Sequence, residues 1–365
     1  MDLRFYRYKF PFTKRFISSG SSFLTREGII MKLVHNGTEA FGEAAPLPGF
    51  SRESLGDIQD FLADHAGIID EWVSGHLAID RYSDHFPTPL PASLAFALDT
   101  ALADFRAKSR NLPMHRFLFS NPRRRLAVNA TISLGKRKDN LKIIGKHWNE
   151  GYRTFKLKAG GNFEEEYRLI NQVRQQWPGA KIRIDANQAW TFEEAIENLS
   201  RLNAGTVEYC EEPLKNPAPE QFQKLFNRCR IPIAIDESLH QSENPADLIR
   251  QSTADILILK PMIIGGLPKL FETFRLARHH EYRIVFTTSL ESGIGRMMTA
   301  VLASGLGTPD LDQGLATGNL MATDIGDDRD LLSQGHFILP QSSGIGRPVV
   351  LQHPAIEPLN LNRPA

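Results

Sequence analysis

Cysteine is scarce in this sequence, with Cys210 and Cys229 as the only two in 365 residues. Their separation matches neither the short spacing of a cysteine metal site nor the dense pattern of a disulfide framework. The scarcity excludes a small disulfide-stabilised scaffold and a cysteine-rich metal module. We expect two buried thiols in a reducing compartment.

The sequence also lacks an excess of charge of either sign. Its 43 lysines and arginines nearly balance 42 aspartates and glutamates, which gives a formal net charge of +1. A chain of this kind has no overall field to attract nucleic acid or an anionic membrane surface. A small-molecule partner is favoured, and the sequence carries no signal for a particular oligomeric state.

Long apolar runs are absent as well. Nowhere do about 18 apolar residues follow one another, as a membrane-spanning helix requires. The first residues, MDLRFYRYKF, mix charged and aromatic side chains and lack the apolar core of a secretory signal. These absences predict a cytoplasmic protein with no membrane partner.

A repeating unit begins at about residue 126. Each unit has a short apolar or β-branched run, a polar turn and an amphipathic helical pattern. The chain contains eight such runs: LAVNATIS, TFKLKAG, KIRIDANQ, TVEYCEEP, IPIAIDES, ADILILKP, RIVFTTSL and DLDQGLATG. Eight alternating units predict an α/β fold with a closed parallel (β/α) barrel of the TIM type.

Residues 1–125 do not follow this rhythm. Two strand-like runs flank the Ser/Gly-rich segment FISSGSSFLTREG, which we interpret as a loop, and His35-Asn36-Gly37 has the turn chemistry of a hairpin. Helical patterns follow. We predict an α+β capping domain over residues 1–125, completed by the C-terminal tail from about 335 to 365, and a barrel domain over residues 126–334.

Two lysines lie close together in the strand-like stretch YRTFKLKAGG. Successive strand side chains point to opposite sides, so Lys156 and Lys158 project from one face and Phe155 and Leu157 from the other. Taken alone, the lysine pair is typical of a solvated edge strand, where lysine blocks further pairing. The residues that follow favour a barrel mouth instead.

Ionisable residues close five successive apolar runs at intervals of 24 to 27 residues: Lys158, Asp185, Glu211, Asp236 and Lys260. Each interval is the length of one strand–helix unit. All five side chains should therefore reach the C-terminal rim of the barrel, where barrel enzymes carry their chemistry.

Three carboxylates on one rim would repel one another unless a cation held them. Strand alternation lets only one residue of each adjacent acidic pair face inward, so we choose Glu211 over Glu212 and Asp236 over Glu237, as metal ligands together with Asp185. Oxygen ligands without nearby histidine or cysteine favour Mg²⁺, with Mn²⁺ possible, over zinc.

Lys158 and Lys260 would flank this cation from opposite sides of the ring. An ammonium group beside a divalent cation, or beside a second lysine such as Lys156, loses solvation and gains repulsion. We therefore expect the pKa of the flanking lysines to fall toward neutrality, which suits a general base. Lys158 is assigned as the base, and Lys156 as the neighbour that lowers its proton affinity.

At these residues the chain resembles the enolase superfamily, in its muconate-lactonising subgroup. The subgroup's functional positions, from the Lys-x-Lys motif through three metal ligands to a later lysine, all have counterparts here: Lys156, Lys158, Asp185, Glu211, Asp236 and Lys260. The resemblance covers nearly the whole chain. It implies a capped, modified (β/α) barrel, a Mg²⁺ cofactor and a small-molecule carboxylate substrate that loses a proton next to its carboxylate.

Within the subgroup, TTSLESGIGRMMTAVLASGLGTPD and QGLATGNLM resemble the o-succinylbenzoate synthase family of dehydratases. The resemblance implies that Ser289, Glu291, Ser292 and Gly314 line the succinyl end of the substrate site, and that FTKRFISSGSSF and AAPLPGFSRES form capping loops. The implied reaction is syn dehydration of 2-succinyl-6-hydroxy-2,4-cyclohexadiene-1-carboxylate, in menaquinone or phylloquinone biosynthesis. Lys158 would carry the proton.

Other activities are compatible with the same residues. N-succinylamino acid racemases use both lysines and need no further signature, and muconate cycloisomerases share the constellation. Dipeptide epimerases resemble one another in an Asp-x-Asp after the eighth strand, whereas Asp310 and Asp312 lie at its predicted entrance. A Schiff-base aldolase with Lys158 as nucleophile would not need three carboxylates. A non-catalytic barrel would not need the lysines.

Overall fold

The computed structural model describes residues 1–18, 21–77, 81–133, 135–202, 205 and 207–361. These residues form a four-stranded antiparallel sheet, a seven-stranded parallel sheet and a small three-stranded sheet. None of the described helices combines the length and the apolar character needed to cross a membrane.

The described part of the chain contains these strands: β1 Asp2–Ser18, β2 Ser21–His35, β3 Thr38–Ala44, β4 Arg125–Ala127, β5 Ala130–Ile132, β6 Thr154–Lys158, β7 Lys181–Asp185, β8 Tyr209–Glu211, β9 Ile233–Ile235, β10 Ile256–Leu259, β11 Arg283–Phe286, β12 Leu332–Ser333, β13 His336–Ile338 and β14 Ile356–Pro358.

The α-helices of the same residues are α1 Leu55–His76, α2 Ala92–Ser109, α3 Met114–Leu118, α4 Arg137–Asn149, α5 Phe163–Gln176, α6 Phe192–Ser200, α7 Pro219–Arg228, α8 Glu237–Gln241, α9 Pro245–Gln251, α10 Pro261–Ile264, α11 Leu267–His279 and α12 Gly293–Leu306. Short 3₁₀ helices occur at Ser83–His85, Gly318–Leu320 and Arg329–Leu331.

Polar caps fix where several barrel helices begin. At the start of α6, the Thr191 hydroxyl accepts a hydrogen bond from the Glu194 N–H, and the Glu194 carboxylate accepts one from the Thr191 N–H. The Asn162 side chain caps α5 in the first of these two ways. Such caps satisfy N–H groups that have no partner within the helix.

The amino-terminal sheet has the order β14-β1-β2-β3 and supports the capping part of the molecule. Asn36 and Gly37 connect β2 to β3 with φ values of 48° and 76°. Two consecutive positive φ values define the tight turn that matches the twist of paired strands. The predicted hairpin is confirmed.

The Ser/Gly-rich segment between the first two strand-like runs is not the loop that the sequence indicated. β1 and β2 continue through it and pair as far as Ser18 opposite Ser21, with a register shift between Pro11 and Phe16. Residues 19 and 20 lie outside the described part. Pairing with a neighbouring strand outweighs the weak strand preference of serine and glycine.

Helix α2 packs against the amino-terminal sheet and is buried on nearly all sides. A Cβ atom at Gly42 of β3 would lie 1.9 Å from the Ala97 carbonyl oxygen of α2, so the sheet and the helix can approach this closely only with glycine there. This close contact packs helix α2 directly on the sheet of the capping domain.

The second large sheet is parallel and follows chain order from β5 to β11, with helices between its strands. Most residues of its strands are buried, as in parallel strands covered by helices. The fold class predicted from the sequence, a (β/α) barrel with an amino-terminal α+β capping domain, is confirmed.

The eighth predicted strand, DLDQGLATG, is reduced to two bridging residues. Gln313 forms a parallel bridge to Val128, and Gly314 forms one to Thr287. A Cβ on Gly314 would lie 2.5 Å from the Thr287 methyl group, so the residue must remain small. Two residues are enough to connect β11 with the segment that leads into β5.

The first predicted barrel run, LAVNATIS, forms two short strands instead of one. β5 belongs to the barrel, whereas β4 pairs antiparallel with β13 of the C-terminal tail. Farther along the tail, β14 pairs antiparallel with β1 at Tyr6–Tyr8. The tail therefore contacts both units, and the residue bounds of the two domains stay predictions.

Candidate active site

The strand-end residues singled out in the sequence meet around one cavity. Its lining includes both lysines of β6, Lys156 and Lys158, together with Asp185, Asp236 and Lys260. Glu211, at the end of β8, is fully buried directly behind this wall and contacts Lys156. β6 lies between β5 and β7, so it is not an edge strand.

Lys156 bridges two of the carboxylates. Its ammonium nitrogen lies 2.8 Å from Asp185 Oδ2 and 2.6 Å from Glu211 Oε1. Because those residues end the next two strands of the sheet, Lys156 connects three neighbouring strands below the rim.

Lys158 occupies the next inward position of β6, one step closer to the rim. Its Nζ atom lies 2.7 Å from Asp185 Oδ2 and 2.8 Å from Asn187 Oδ1. Asn187 also donates to Glu237 Oε1 at 2.7 Å. Asn187 was not among the site residues predicted from the sequence, although it follows Asp185 in the same strand-end segment.

Lys260 faces the cavity from β10, four strands from β6 in the sheet and so about halfway around the barrel. Its ammonium group donates to both carboxylate oxygens of Asp236. On the cap side, the Phe50 ring centroid lies 4.5 Å from Lys260 Nζ. Phe50 thus brings the cap into contact with the barrel's second lysine.

Glu212 and Glu237, the acidic residues next to Glu211 and Asp236, form hydrogen bonds with other groups. Glu212 accepts hydrogen bonds from the backbone N–H groups of Asp236 and Ser238 and from the Ser238 hydroxyl, which ties β8 to the segment after β9. Burial and the Glu237 carboxylate raise the pKa of Glu212 to about 8. The choice of Glu211 and Asp236 as the site carboxylates stays a prediction, and their contacts with Lys156 and Lys260 support it.

The pKa values of two site carboxylates, Asp185 and Glu211, are shifted in opposite directions. Burial alone would raise the pKa of Asp185, but Lys156 and Lys158 outweigh burial and hold it below its ordinary value. Burial and the Asp185 charge raise the pKa of Glu211 to about 8, despite Lys156. Burial and mutual repulsion therefore oppose the ionisation of all three carboxylates together near neutral pH.

The expectation that the flanking lysines have lowered pKa values is wrong for Lys260 in this structure. Burial disfavours its charged form, but Asp236, Glu237 and Glu211 outweigh burial and raise the pKa. The pKa of Lys156 is likewise raised well above its ordinary value, because Asp185 and Glu211 outweigh burial. In this structure the carboxylates contact the lysines directly, and their negative charge stabilises the ammonium form. The prediction had assumed a divalent cation beside the lysines, which would lower their pKa values instead.

The chemistry of the carboxylate cluster fits a hard divalent cation. Asp185 Oδ1 and Glu211 Oε2 are buried and have no hydrogen-bond partner among the described residues. A buried oxygen without a partner is costly, and Mg²⁺ or Mn²⁺ prefers such carboxylate oxygens. Within the described chain, no three acidic, histidine or cysteine side chains surround a common metal position. Lys156 and Lys260 supply the counter-charge instead.

The rest of the cavity wall combines hydroxyl groups with apolar side chains. The cavity volume is about 140 Å³, several times the roughly 10–15 Å³ that one water needs on this measure. The cap contributes Phe23, Leu47 and Phe50. Additional lining residues that the sequence analysis did not identify are Asn129, Thr131, Ser133, Tyr209, Thr287, Thr288, Leu290, Ala316, Thr317 and Leu320.

Of the four residues assigned to the succinyl end, Gly314 lines the cavity. Ser289, Glu291 and Ser292 are buried and do not belong to the lining. Ser292 donates its hydroxyl to Glu43 at 2.6 Å and its N–H to the same carboxylate at 2.8 Å. Because Glu43 belongs to β3, Ser292 joins the barrel to the cap.

Glu291 lies beside this junction. One of its oxygens accepts from the Thr299 hydroxyl at 2.9 Å, and the other accepts from the Ser289 N–H. Burial, reinforced by the Glu43 carboxylate, raises the pKa of Glu291 to about 7. The residue supports the loop after β11 from within.

Replacing Glu291 by glutamine should flatten the pH dependence of folding. Because its folded-state pKa exceeds the ordinary 4.5, Glu291 favours folding below pH 4.5, and this contribution is lost as pH rises through about 7. The loss amounts to ~3 kcal/mol. Urea unfolding at several pH values should show a smaller decline for Glu291→Gln than for the wild type. Parallel declines would contradict the assignment.

The acidic pair Asp310 and Asp312 lies at the other end of the barrel. The Asp312 carbonyl accepts from Arg183 at 2.7 Å, and the Asp310 carbonyl accepts from Lys181, the first residue of β7, at 3.1 Å. Neither residue lines the cavity. They cannot contact a ligand that reaches Lys158 and Lys260.

Two family models match the chain. Residues 144–350 match the model described as enolase C-terminal domain-like, and residues 1–105 match the model described as MenC, N-terminal domain. Since the first match alone spans more than half of the chain, this capped barrel belongs to the enolase superfamily.

Named relatives make the resemblance more specific. The o-succinylbenzoate synthase of Vibrio cholerae serotype O1 is 28% identical over 320 residues, which cover 86% of this chain and 88% of the relative. The L-amino acid-D/L-Glu epimerase of Sulfurimonas denitrificans is 24% identical over 268 residues, covering 73% and 78%. Within the superfamily, the chain resembles the o-succinylbenzoate synthases.

The fold is also that of a solved relative. The crystal structure of a muconate lactonizing enzyme from Pseudomonas fluorescens, complexed with muconolactone, matches with a TM-score of 0.80 at 20% identity, covering 96% of both chains. At this identity the likeness shows the shared fold alone.

Proposed function

We propose that this chain is an o-succinylbenzoate synthase, a lyase that dehydrates 2-succinyl-6-hydroxy-2,4-cyclohexadiene-1-carboxylate to o-succinylbenzoate. The observation that carries the proposal is the placement of Lys158 and Lys260 across one cavity, with carboxylates of the intervening strands beside them. The o-succinylbenzoate synthase relatives supply the choice of substrate.

Lys158 is the proposed proton carrier. Its neutral amine takes the proton from the ring carbon that bears the carboxylate, and the electron pair of that C–H bond forms a new ring double bond. The C–O bond to the neighbouring hydroxyl group breaks, and the Lys158 ammonium returns the proton to the departing oxygen as water leaves. The ring becomes aromatic, and the lysine ends the cycle as it began.

Asp185, Glu211 and Asp236 are the proposed ligands of a divalent cation, Mg²⁺ or Mn²⁺. Enzymes of the enolase superfamily generally depend on such a cation. When bound, it would neutralise the substrate carboxylate and make the adjacent carbon more acidic. This role fits the two unpartnered oxygens of Asp185 and Glu211.

Lys260 is proposed to act through its charge. Its ammonium group donates to both carboxylate oxygens of Asp236, and this contact favours the charged form. A fixed positive charge opposite Lys158 stabilises negative charge that develops on the substrate during proton removal. Proton transfer by Lys260 is not needed when hydrogen and hydroxyl leave from one face.

Racemisation of N-succinylamino acids is the second candidate, favoured by the presence of a lysine on each side of the cavity. It would require Lys158 and Lys260 to exchange protons with opposite faces of one carbon. Dipeptide epimerisation receives less support. Among the described lining residues the carboxylates are Asp185 and Asp236, both paired with lysines, so none is left for a substrate ammonium group.

Lys260→Arg should separate the two candidates. Arginine keeps the positive charge but does not give up its proton. Dehydration should therefore persist within about 10-fold, whereas racemisation should fall by roughly 10²- to 10⁴-fold. With Mg²⁺ present, o-succinylbenzoate formation measures the first activity, and deuterium exchange into an N-succinylamino acid measures the second.

Lys224→Arg, on the exposed side of α7, is the matched control and should change neither activity. Equal losses of both activities in Lys260→Arg would contradict the electrostatic role. A wild-type chain that racemises quickly and forms no o-succinylbenzoate would make racemisation the function.

A further inference from the structure

Arg26 is a buried arginine at the junction of the cap and the barrel. Its side chain is 4% exposed, and all its hydrogen-bond acceptors in the described part of the chain are backbone carbonyl groups. One of them belongs to the adjacent residue, Glu27. The other four belong to two loops that are far apart in sequence.

The first loop follows β3 in the cap. The Arg26 guanidinium donates to the Pro46 carbonyl at 2.7 Å and also to the Ala45 carbonyl. Leu47 comes next in the chain, and its side chain lines the cavity. Arg26 therefore holds the backbone immediately before a cap residue that can touch the substrate.

The second loop follows β11 in the barrel. Arg26 donates to the Leu290 carbonyl at 3.0 Å and to the Ser289 carbonyl at 3.3 Å. Leu290 has a φ of 62°, which bulky L residues rarely adopt, and its side chain also lines the cavity. Such a conformation persists only where the surroundings hold it, and Arg26 makes two of the contacts that do so.

We propose that Arg26 is a positioning residue that fixes the Leu47–Leu290 wall of the cavity and thereby sets affinity for the apolar part of the substrate. This assignment rests on the proposed dehydration only for the identity of the substrate. Arginine suits the role because its planar guanidinium group presents five N–H donors in a fixed arrangement. The lysine side chain has only one compact ammonium group and cannot reach both loops in the same way. Arg26 does not line the cavity with the lysines, so it acts through the two leucines.

The chain offers a matched control in Arg106. This arginine is 3% exposed and donates to the carbonyls of His76, Leu77 and Arg81 within the cap, away from the cavity. Arg106→Lys removes the same kind of hydrogen bonds from the same kind of acceptors. This variant therefore reproduces the general loss of stability from removing the hydrogen bonds of a buried arginine, and it leaves the Leu47–Leu290 wall unchanged.

The test compares Arg26→Lys with Arg106→Lys in two measurements. The first is amide hydrogen exchange of residues 44–50 and 287–292, which should quicken by about 10-fold or more in Arg26→Lys alone. The second is steady-state dehydration with Mg²⁺. There KM should rise by about 10-fold or more in Arg26→Lys while kcat stays within about 3-fold, and both constants should stay near wild type in Arg106→Lys.

Leu290→Ala is the second variant and keeps Arg26 in place. It should raise KM in the same way, and adding Arg26→Lys to it should raise KM by less than the product of the single effects. Unchanged exchange in both segments of Arg26→Lys, or an unchanged KM in Leu290→Ala, would overturn the assignment. If the wild type forms no o-succinylbenzoate, the proposed function fails, whereas the exchange comparison still decides whether Arg26 holds the wall.

Discussion

Replacing Lys158 by alanine is expected to lower kcat for dehydration by roughly 10²- to 10⁴-fold, the usual cost of removing a general acid–base group. The side chain contacts Asp185 and Asn187 and lines the cavity, and no other described lysine except Lys156 projects from the same strand face. Lys156 is held by two carboxylates at 2.6 and 2.8 Å. It cannot take over the proton transfer without losing those contacts.

The measurement is o-succinylbenzoate formation under saturating substrate and Mg²⁺, with thermal unfolding recorded in parallel. Lys224→Ala, on the exposed side of α7, is the control and should match the wild type. A kcat within a few-fold of wild type for Lys158→Ala would remove Lys158 from the chemistry. Borohydride should trap no covalent adduct between Lys158 and the substrate; an adduct would establish the Schiff-base alternative.

Removing the divalent cation is expected to abolish turnover, and Asp236→Asn is expected to weaken Mn²⁺ binding by about 10-fold or more. The reason is that Asp236 supplies one of the three carboxylates proposed to hold the cation, and asparagine replaces that negative charge with a neutral amide. Titration of the purified chain with Mn²⁺, followed by electron paramagnetic resonance, measures binding without reference to activity.

Asp310→Asn is the matched control, because the same residue type lies there at the opposite end of the barrel. It should leave Mn²⁺ affinity unchanged. Full dehydration activity in excess chelator would exclude a metal-dependent reaction, and wild-type Mn²⁺ affinity in Asp236→Asn would exclude Asp236 as a ligand.

The sequence predicted the barrel and its ionisable rim because both depend on short-range patterns. Strand alternation places Lys156 and Lys158 on one face, and the length of a strand–helix unit sets the interval from Asp185 to Glu211. These rules need no knowledge of distant contacts. The eighth strand is shorter than predicted, because an apolar run cannot reveal that only Gln313 and Gly314 form bridges.

Contacts between distant segments account for what could not be predicted. From the sequence, Ser292 was predicted to line the substrate site. In the structure its hydroxyl donates a hydrogen bond to Glu43, 249 residues earlier in the chain. No recognised sequence motif marks Arg26, and the role proposed for it depends on carbonyl groups of two remote loops. The pKa of Lys260 was misjudged because it depends on which side chain lies nearest, and here that is Asp236.

The pairing of β1 with β14 has a consequence for how the protein folds during synthesis. Tyr6 and Tyr8 meet residues about 350 positions later, so at ~5–20 residues per second the ribosome needs roughly 20–70 s to supply the partner strand. Until then, that side of β1 presents unpaired N–H and C=O groups, which can pair with another chain and start aggregation. Deleting residues 350–365 should therefore leave this side of β1 unpaired in the finished protein and increase its aggregation, which light scattering at matched protein concentrations would measure.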